Sequence, residues 1–211
     1  GSASIGVKNN NSGSNGKTWD MGNQLTFSGG GELDNGLNVS LSFVIDQGDD
    51  TAIGSGPFDS HSLTISSDGM GTLVFSGEGG SSAQSTLDGT AAGDIWDNGF
   101  GISSPGASEA GNNSMMYTLP SLMDDLTVQA SYSPGGAGGP SASAIGFTYA
   151  GVEGLSVSYG AGQTETVGSE ADATTIKGSY AYGSFTFGLS QTDYDRDSTN
   201  DDEVSSWKVS Y

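Results

Sequence analysis

The chain has 211 residues: 36 are Gly, 25 acidic and only 5 basic, with one His and no Cys, for a formal net charge of −20. That charge excludes a duplex-binding surface, which needs clustered Lys and Arg. The lack of Cys excludes disulfide frameworks and thiolate metal sites, and no stretch approaches the ~20 apolar residues of a membrane helix.

In chain order the apolar residues recur with period two. Leu25 and Phe27 alternate with Thr26 and Ser28, and Val39, Leu41 and Phe43 alternate with Ser40 and Ser42. The pattern continues through Leu63/Ile65, Leu73/Phe75, Val128/Ala130/Tyr132, Ile145/Phe147/Tyr149 and Val157/Tyr159. It closes with Ile176/Tyr180, Phe185/Phe187/Leu189 and Trp207/Val209/Tyr211. Alternation of this kind puts an apolar set on one face of a strand and Ser, Thr, Gly and Gln on the other. No segment has helical period. With the turn signals, it predicts about twelve strands, at 3–8, 24–32, 38–46, 60–66, 72–78, 113–118, 126–133, 142–150, 155–163, 174–182, 184–192 and 204–211.

The connections alternate between short and long. The short ones fall at 33–37, 67–71, 121–125, 151–154 and 182–183, several with Asn-Gly or Asp-Gly, which supply the positive φ of tight hairpins. The long ones fall at 9–23, 47–59, 79–112, 134–141, 164–173 and 193–203 and hold most of the acids. Short turns at one rim, long loops at the other, an apolar outside and a polar inside define a transmembrane antiparallel up-and-down β-barrel. Tyr117, Tyr132, Tyr149, Tyr182, Trp207 and Tyr211 stand near strand ends, as interfacial girdles require. The competing fold is a soluble β-sandwich: a secreted acidic, Ca²⁺-dependent adhesin or surface-layer protein.

Four segments carry a family resemblance. They are Gly1-Ser2-Ala3-Ser4-Ile5-Gly6-Val7, the strand and turn Leu25-Thr26-Phe27-Ser28-Gly29-Gly30-Gly31-Glu32-Leu33-Asp34-Asn35-Gly36-Leu37, Gly71-Thr72-Leu73-Val74-Phe75-Ser76-Gly77, and Asn113-Ser114-Met115-Met116-Tyr117-Thr118-Leu119-Pro120. In order and spacing the chain resembles a general diffusion porin of Gram-negative bacteria, of the alphaproteobacterial type. The resemblance implies an outer-membrane location among lipid and lipopolysaccharide, a homotrimer, and passive diffusion of small hydrophilic solutes. It also implies about sixteen strands; about twelve are visible, so the family's C-terminal part is expected to be absent, the alternative being a complete twelve-stranded barrel whose last strand carries Trp207-Lys208-Val209-Ser210-Tyr211. Segment 79–112 corresponds to the third external loop, which in such porins folds inward and narrows the pore.

Strand phase then places Lys8, Lys177 and Lys208 toward the lumen, with Lys8 and Lys208 also near enough to strand ends to sit in bulk water. A lysine facing lipid near the midplane costs ~2–4 kcal/mol. The loop offers Asp88, Asp94, Asp97 and Glu109, with Glu78 at its root. Acids opposed to bases across a constriction set a transverse field, and the acid excess predicts weak cation preference; ordinary solvation explains the same acids equally well. Ile95, Trp96 and Phe100 form an apolar island that would anchor the loop to the wall or to a neighbouring subunit. Asp193, Asp195, Asp197 and Asp201 resemble a calcium loop, but Ser198 and Val204 stand where an EF-hand has its Gly and bidentate Glu. Weak Ca²⁺ binding and a solvated hairpin tip are the two readings, and no other cofactor is expected. The single His61 shares the apolar phase with Leu63, and no nucleophile context surrounds it, so no enzyme is expected.

Overall fold

A computed structural model describes residues 5–9, 17–21, 25–45, 58–87, 91, 108, 112–135, 140–197 and 201–211. Among them are β1 (Ile5–Asn9), β2 (Lys17–Met21), β3 (Leu25–Glu32), β4 (Asn38–Ile45), β5 (Phe58–Ser67), β6 (Gly71–Glu78) and β7 (Ser114–Thr118). They are followed by β8 (Leu126–Ser133), β9 (Ser141–Val152), β10 (Leu155–Thr166), β11 (Ser169–Tyr182), β12 (Phe185–Arg196) and β13 (Asp202–Ser210). The one helical element among the described residues is a single 3-10 turn, Ser85–Leu87. β1 and β2 pair as a separate hairpin, while β3 to β13 form one antiparallel sheet in which every strand pairs only with its sequence neighbours. Among the described residues the β3 and β13 edges are not joined, so the sheet is an open meander.

The registers fix the two faces. Leu41 pairs with Leu63, Leu63 with Phe75, Phe75 with Met115 and Met115 with Tyr132. Phe147 pairs with Tyr159, Tyr159 with Ile176, and Leu189 with Trp207. These rows make one continuous apolar face, and among the described residues nothing packs on its exposed part: Ile176 is 55% exposed, Leu189 66% and Trp207 72%. The buried side chains lie on the other face and are small or polar, Thr175 and Gln84 both at 0%. A β-sandwich needs a second layer over the apolar face, and this sheet has none among the described residues. An exposed apolar band on a meander whose inner strands are paired on both sides is the arrangement that hydrocarbon selects, because lipid covers the side chains while neighbouring strands satisfy the backbone.

The structure corrects the predicted elements in three places, one of them segment 193–203, expected to be a long loop, where β12 and β13 stay paired as far as Tyr194 and Asp202. Segment 9–23, expected to be a long loop, holds β2, whose Trp19 and Met21 pair with Val7 and Ile5. Its five residues follow a polar run that hides the period. Segment 164–173 was also expected to be a long loop, yet β10 and β11 stay paired through Thr166 and Ser169, leaving only Val167 and Gly168 as the turn. Gly168 there takes φ 80°, a left-handed value that suits Gly. Thr, Glu and Asp break the hydrophobic alternation without breaking the ladder. The hairpin therefore extends past the ~9–11 residues that span a membrane.

Leu41→Arg on the apolar face is expected to destabilise the folded protein by about 2–4 kcal/mol near the midplane. Ser42→Arg, one residue on and facing the other way, is expected to cost far less. Urea unfolding in lipid vesicles measures both, and equal losses would contradict the assignment of faces.

Candidate functional site

Short side chains make the polar face of β8 to β13 a shallow wall, and the chain between β6 and β7 lies along it. After Glu78 ends β6, Ser82, Ala83 and Gln84 are buried against the wall. The Ala83 amide donates to Ser131 Oγ on β8 at 2.9 Å. Gln84 Nε2 donates to Thr175 Oγ1 on β11 at 2.9 Å, and Thr175 shares a 2.9 Å hydrogen bond with Thr192 on β12. Further along, the Ala91 amide donates to Ser190 Oγ on β12 at 2.9 Å and to Ser206 Oγ on β13 at 2.8 Å. The segment thus leaves β6 and reaches strands as far away as β13.

The returning leg is held by the same glutamine. Gln84 Oε1 accepts from the Ser108 amide at 2.8 Å and from its hydroxyl at 3.1 Å, and the Ser82 and Ser108 hydroxyls bond at 2.6 Å. One buried carboxamide therefore clasps the outgoing leg, the returning leg and the wall. Each such bond contributes about 0.5–1.5 kcal/mol net, but stripping the partner from a buried polar group costs about 1–3 kcal/mol.

The seat beneath is cut from glycine and alanine. On the polar phase Gly146 pairs with Gly160, and Gly162 pairs with both Ala144 and Ala173. A Cβ at Gly146 would come within 2.6 Å of the Ala83 carbonyl oxygen, and one at Gly160 within 3.1 Å of Gln84 Cα. A Cβ at Gly162 would collide with the Ser108 side chain. Glycines at adjacent register positions let another backbone approach closely. That patch is the sequence signal from which the docked segment could have been located; the expected anchor was the apolar island instead.

Charge is sorted between the faces. On the polar phase of β9 to β13 the described charged residues are Lys177, Lys208, Arg196 and Asp202, the last two forming an ion pair. Arg196 also sits 4.9 Å from the centre of the Tyr194 ring. Gln163, Asp172, Asp193, Asp195 and Glu203 instead continue the outward phase of Tyr159, Ile176, Leu189 and Trp207 toward the end where the long loops lie. Asp193, Asp195, Asp201, Asp202 and Glu203 border one cleft of about 520 Å³ with Thr174. Among the described residues no group of three or more potential ligands is placed to hold a metal ion.

The expected site residues therefore divide. Lys177 and Lys208 line one cavity of about 360 Å³ with Leu87 and Ala91 of the docked segment. Glu78 pairs in register with His61 across a bulge, which puts it in the phase of the apolar face rather than that of the lysines. His61 stacks on Phe43 with ring centres 6.1 Å apart. Lys8 pairs with Thr18 in β1, but its side chain lies outside the described residues, as do Asp88, Asp94, Asp97, Glu109, Ile95, Trp96 and Phe100. Asp197 follows β12 and accepts a hydrogen bond from the Glu170 amide at 3.1 Å.

Gln84→Ala is expected to free both legs. Amide hydrogen exchange at Ala83, Ala91 and Ser108 should quicken by about tenfold or more while the strand cores keep their protection. Unchanged exchange at these amides would show that the clasp does not hold the segment.

The family model described as Gram-negative porin matches residues 1–211. No curated protein matches significantly. Among solved structures, the trimer form of OmpT from Vibrio cholerae superposes with a TM-score of 0.67 at 14% identity, over 97% of this chain and 68% of that one. The anion-selective porin from Comamonas acidovorans gives 0.56 at 18% identity, over 99% and 73%. A variant of the Rh. blastica porin gives 0.52 at 14% identity, over 93% and 83%.

Proposed function

From the premise that this chain belongs to the Gram-negative porin family, we propose that its polar face walls a water-filled pore through which small hydrophilic solutes and ions diffuse passively across the outer membrane. The family is one of outer-membrane channels rather than enzymes. The observation that carries the proposal is the inverted burial. Large apolar side chains face outward without a covering layer, while hydroxyls, glycines and two lysines face the side on which the 79–112 segment docks. Water on that side accounts for the wall's composition, since Ser and Thr hydroxyls and Lys ammonium groups are costly in hydrocarbon and cheap in a wet lumen.

In this proposal the docked segment is the constriction. Hydrogen bonds at Gln84, Ala91 and Ser108 hold it over the wall, and Asp88, Asp94, Asp97 and Glu109 belong to the same segment. A weak cation preference follows if those acids face the permeation path opposite the lysines. The outward-phase acids above the apolar band stand at head-group level. There we propose divalent-cation bridges, Ca²⁺ among them, to lipopolysaccharide phosphates. A homotrimer is part of the same proposal, supported by the trimer form of Vibrio cholerae OmpT. The secreted adhesin is not favoured, because its apolar face would need a covering layer.

Detergent-extracted protein in planar bilayers is expected to conduct in discrete steps. Asp94→Asn with Asp97→Asn should lower the cation-to-anion permeability ratio by a factor of about two to five, the range for exposed charges in a wet pore. A protein that is soluble without detergent and gives no conducting steps would contradict the proposal. An unchanged ratio would remove the loop acids from the selectivity mechanism.

A further inference from the structure

The cavity between the docked segment and the wall differs in charge from the rest of the molecule. It measures about 360 Å³ and is bordered by Lys177 and Lys208, with the hydroxyls of Ser158, Ser179 and Ser210 beside them. Leu87 and Ala91 of the segment close one side. Among the described residues no Asp or Glu lines it, in a chain with 25 acidic residues against 5 basic ones.

The lysines have no carboxylate within reach along the sheet. Lys177 pairs with Ser158 on β10 and Ser190 on β12. Lys208 pairs with Gly188. Asp202 is the one acid on the polar phase of β9 to β13 among the described residues, and Arg196 already pairs with it. β11 and β13 are two strand spacings apart, about 10 Å. Lys177 is level with Ser190, and Lys208 is two register pairs nearer the short turns. Two long flexible side chains from those positions converge on one small anion between them. Gly188 leaves the floor between the lysines without a side chain, and a Cβ there would approach Ala91 Cβ at 3.3 Å.

We infer that this cavity is a binding station for small hydroxylated anions that carry a phosphate or carboxylate group. The two ammonium groups take the anionic group as point charges, and the serine hydroxyls take the solute's hydroxyls. Leu87 and Ala91 offer an apolar patch to a carbon skeleton. The net charge of −20 would repel such solutes at a distance, but the strand acids lie mainly on the outward phase while the lysines stand on the wall. The station thus lowers the barrier for anions on the wall side of a constriction whose opposite side carries the loop acids. It rests on the porin reading only in that the polar face is open to solutes.

Calorimetric titration of the full chain, folded in detergent, with glucose 6-phosphate and with inorganic phosphate tests it, with glucose as the neutral control. The wild type is expected to bind both anions saturably and glucose not at all. K177Q/K208Q should weaken anion binding about tenfold, while K177R/K208R, which keeps both charges, should retain it. No saturable anion binding by the wild type, or equal binding by K177Q/K208Q, overturns the station. Titration reads the site whether or not the protein conducts, so absent conducting steps in bilayers would overturn the porin reading separately. In a conducting protein, glucose 6-phosphate should reduce the open-channel current in a manner that K177Q/K208Q abolishes, and equal reduction in both would overturn the station.

Discussion

A backbone amide inside hydrocarbon has no partner except another backbone, and the whole chain is arranged around that constraint. Each unpaired group in lipid costs several kcal/mol, so strands that cross must pair on both sides along their length. β4 to β12 meet this, each paired on both sides with its sequence neighbours, while the outer edges of β3 and β13 are not joined among the described residues. Continuous pairing leaves the side chains only two destinations, and period two separates them strictly. Because lipid is the solvent on one side, the large apolar residues go outward. The residues that are buried in the protein are Ala, Ser, Thr and Gln.

That inversion explains how the 79–112 segment is held. An inner wall of hydroxyls and glycines offers little apolar surface to bury, so its described contacts rely on close approach and hydrogen bonds. Gly146, Gly160 and Gly162 remove the side chains that would hold a second backbone away. Ser131, Thr175, Ser190 and Ser206 then meet its polar groups. Gln84 is the one fully buried long side chain in this contact, and it links the outgoing and returning legs. The same wall keeps its two lysines clear of the acids, which the extended hairpins of β10 to β13 carry outward and upward. Position relative to the membrane, rather than total charge, decides what a permeating solute meets.

Much of this was legible in the sequence because alternation in strands with one apolar face fixes which side each residue takes. Leu41, Phe147 and Tyr159 fall on the expected face, as do Lys177 and Lys208 on the other. The upper hairpin of β10 and β11 was not legible, since Glu165, Glu170 and Asp172 are polar on both faces while pairing depends on the backbone. Nor was Glu78, whose face is set by a bulge between His61 and Ser62 that no periodicity announces. Ile95, Trp96 and Phe100, the expected apolar anchor, lie outside the described residues. The described hydrogen bonds add a polar anchorage that no apolar pattern announces, and the row of paired glycines is its sign in the sequence. The four carboxylates Asp88, Asp94, Asp97 and Glu109 lie outside the described residues.

The claim on which everything else stands is that one face of this sheet meets lipid and the other water. The chain has no Cys, so single cysteines placed in turn from Thr174 to Ala181 on β11 can carry a spin label in reconstituted vesicles. Accessibility to oxygen and to a water-soluble nickel chelate should alternate with period two. Oxygen should dominate at Ile176, Gly178 and Tyr180, and the chelate at Lys177, Ser179 and Ala181. Uniform access of the chelate along the strand, or alternation in the opposite phase, would contradict the account.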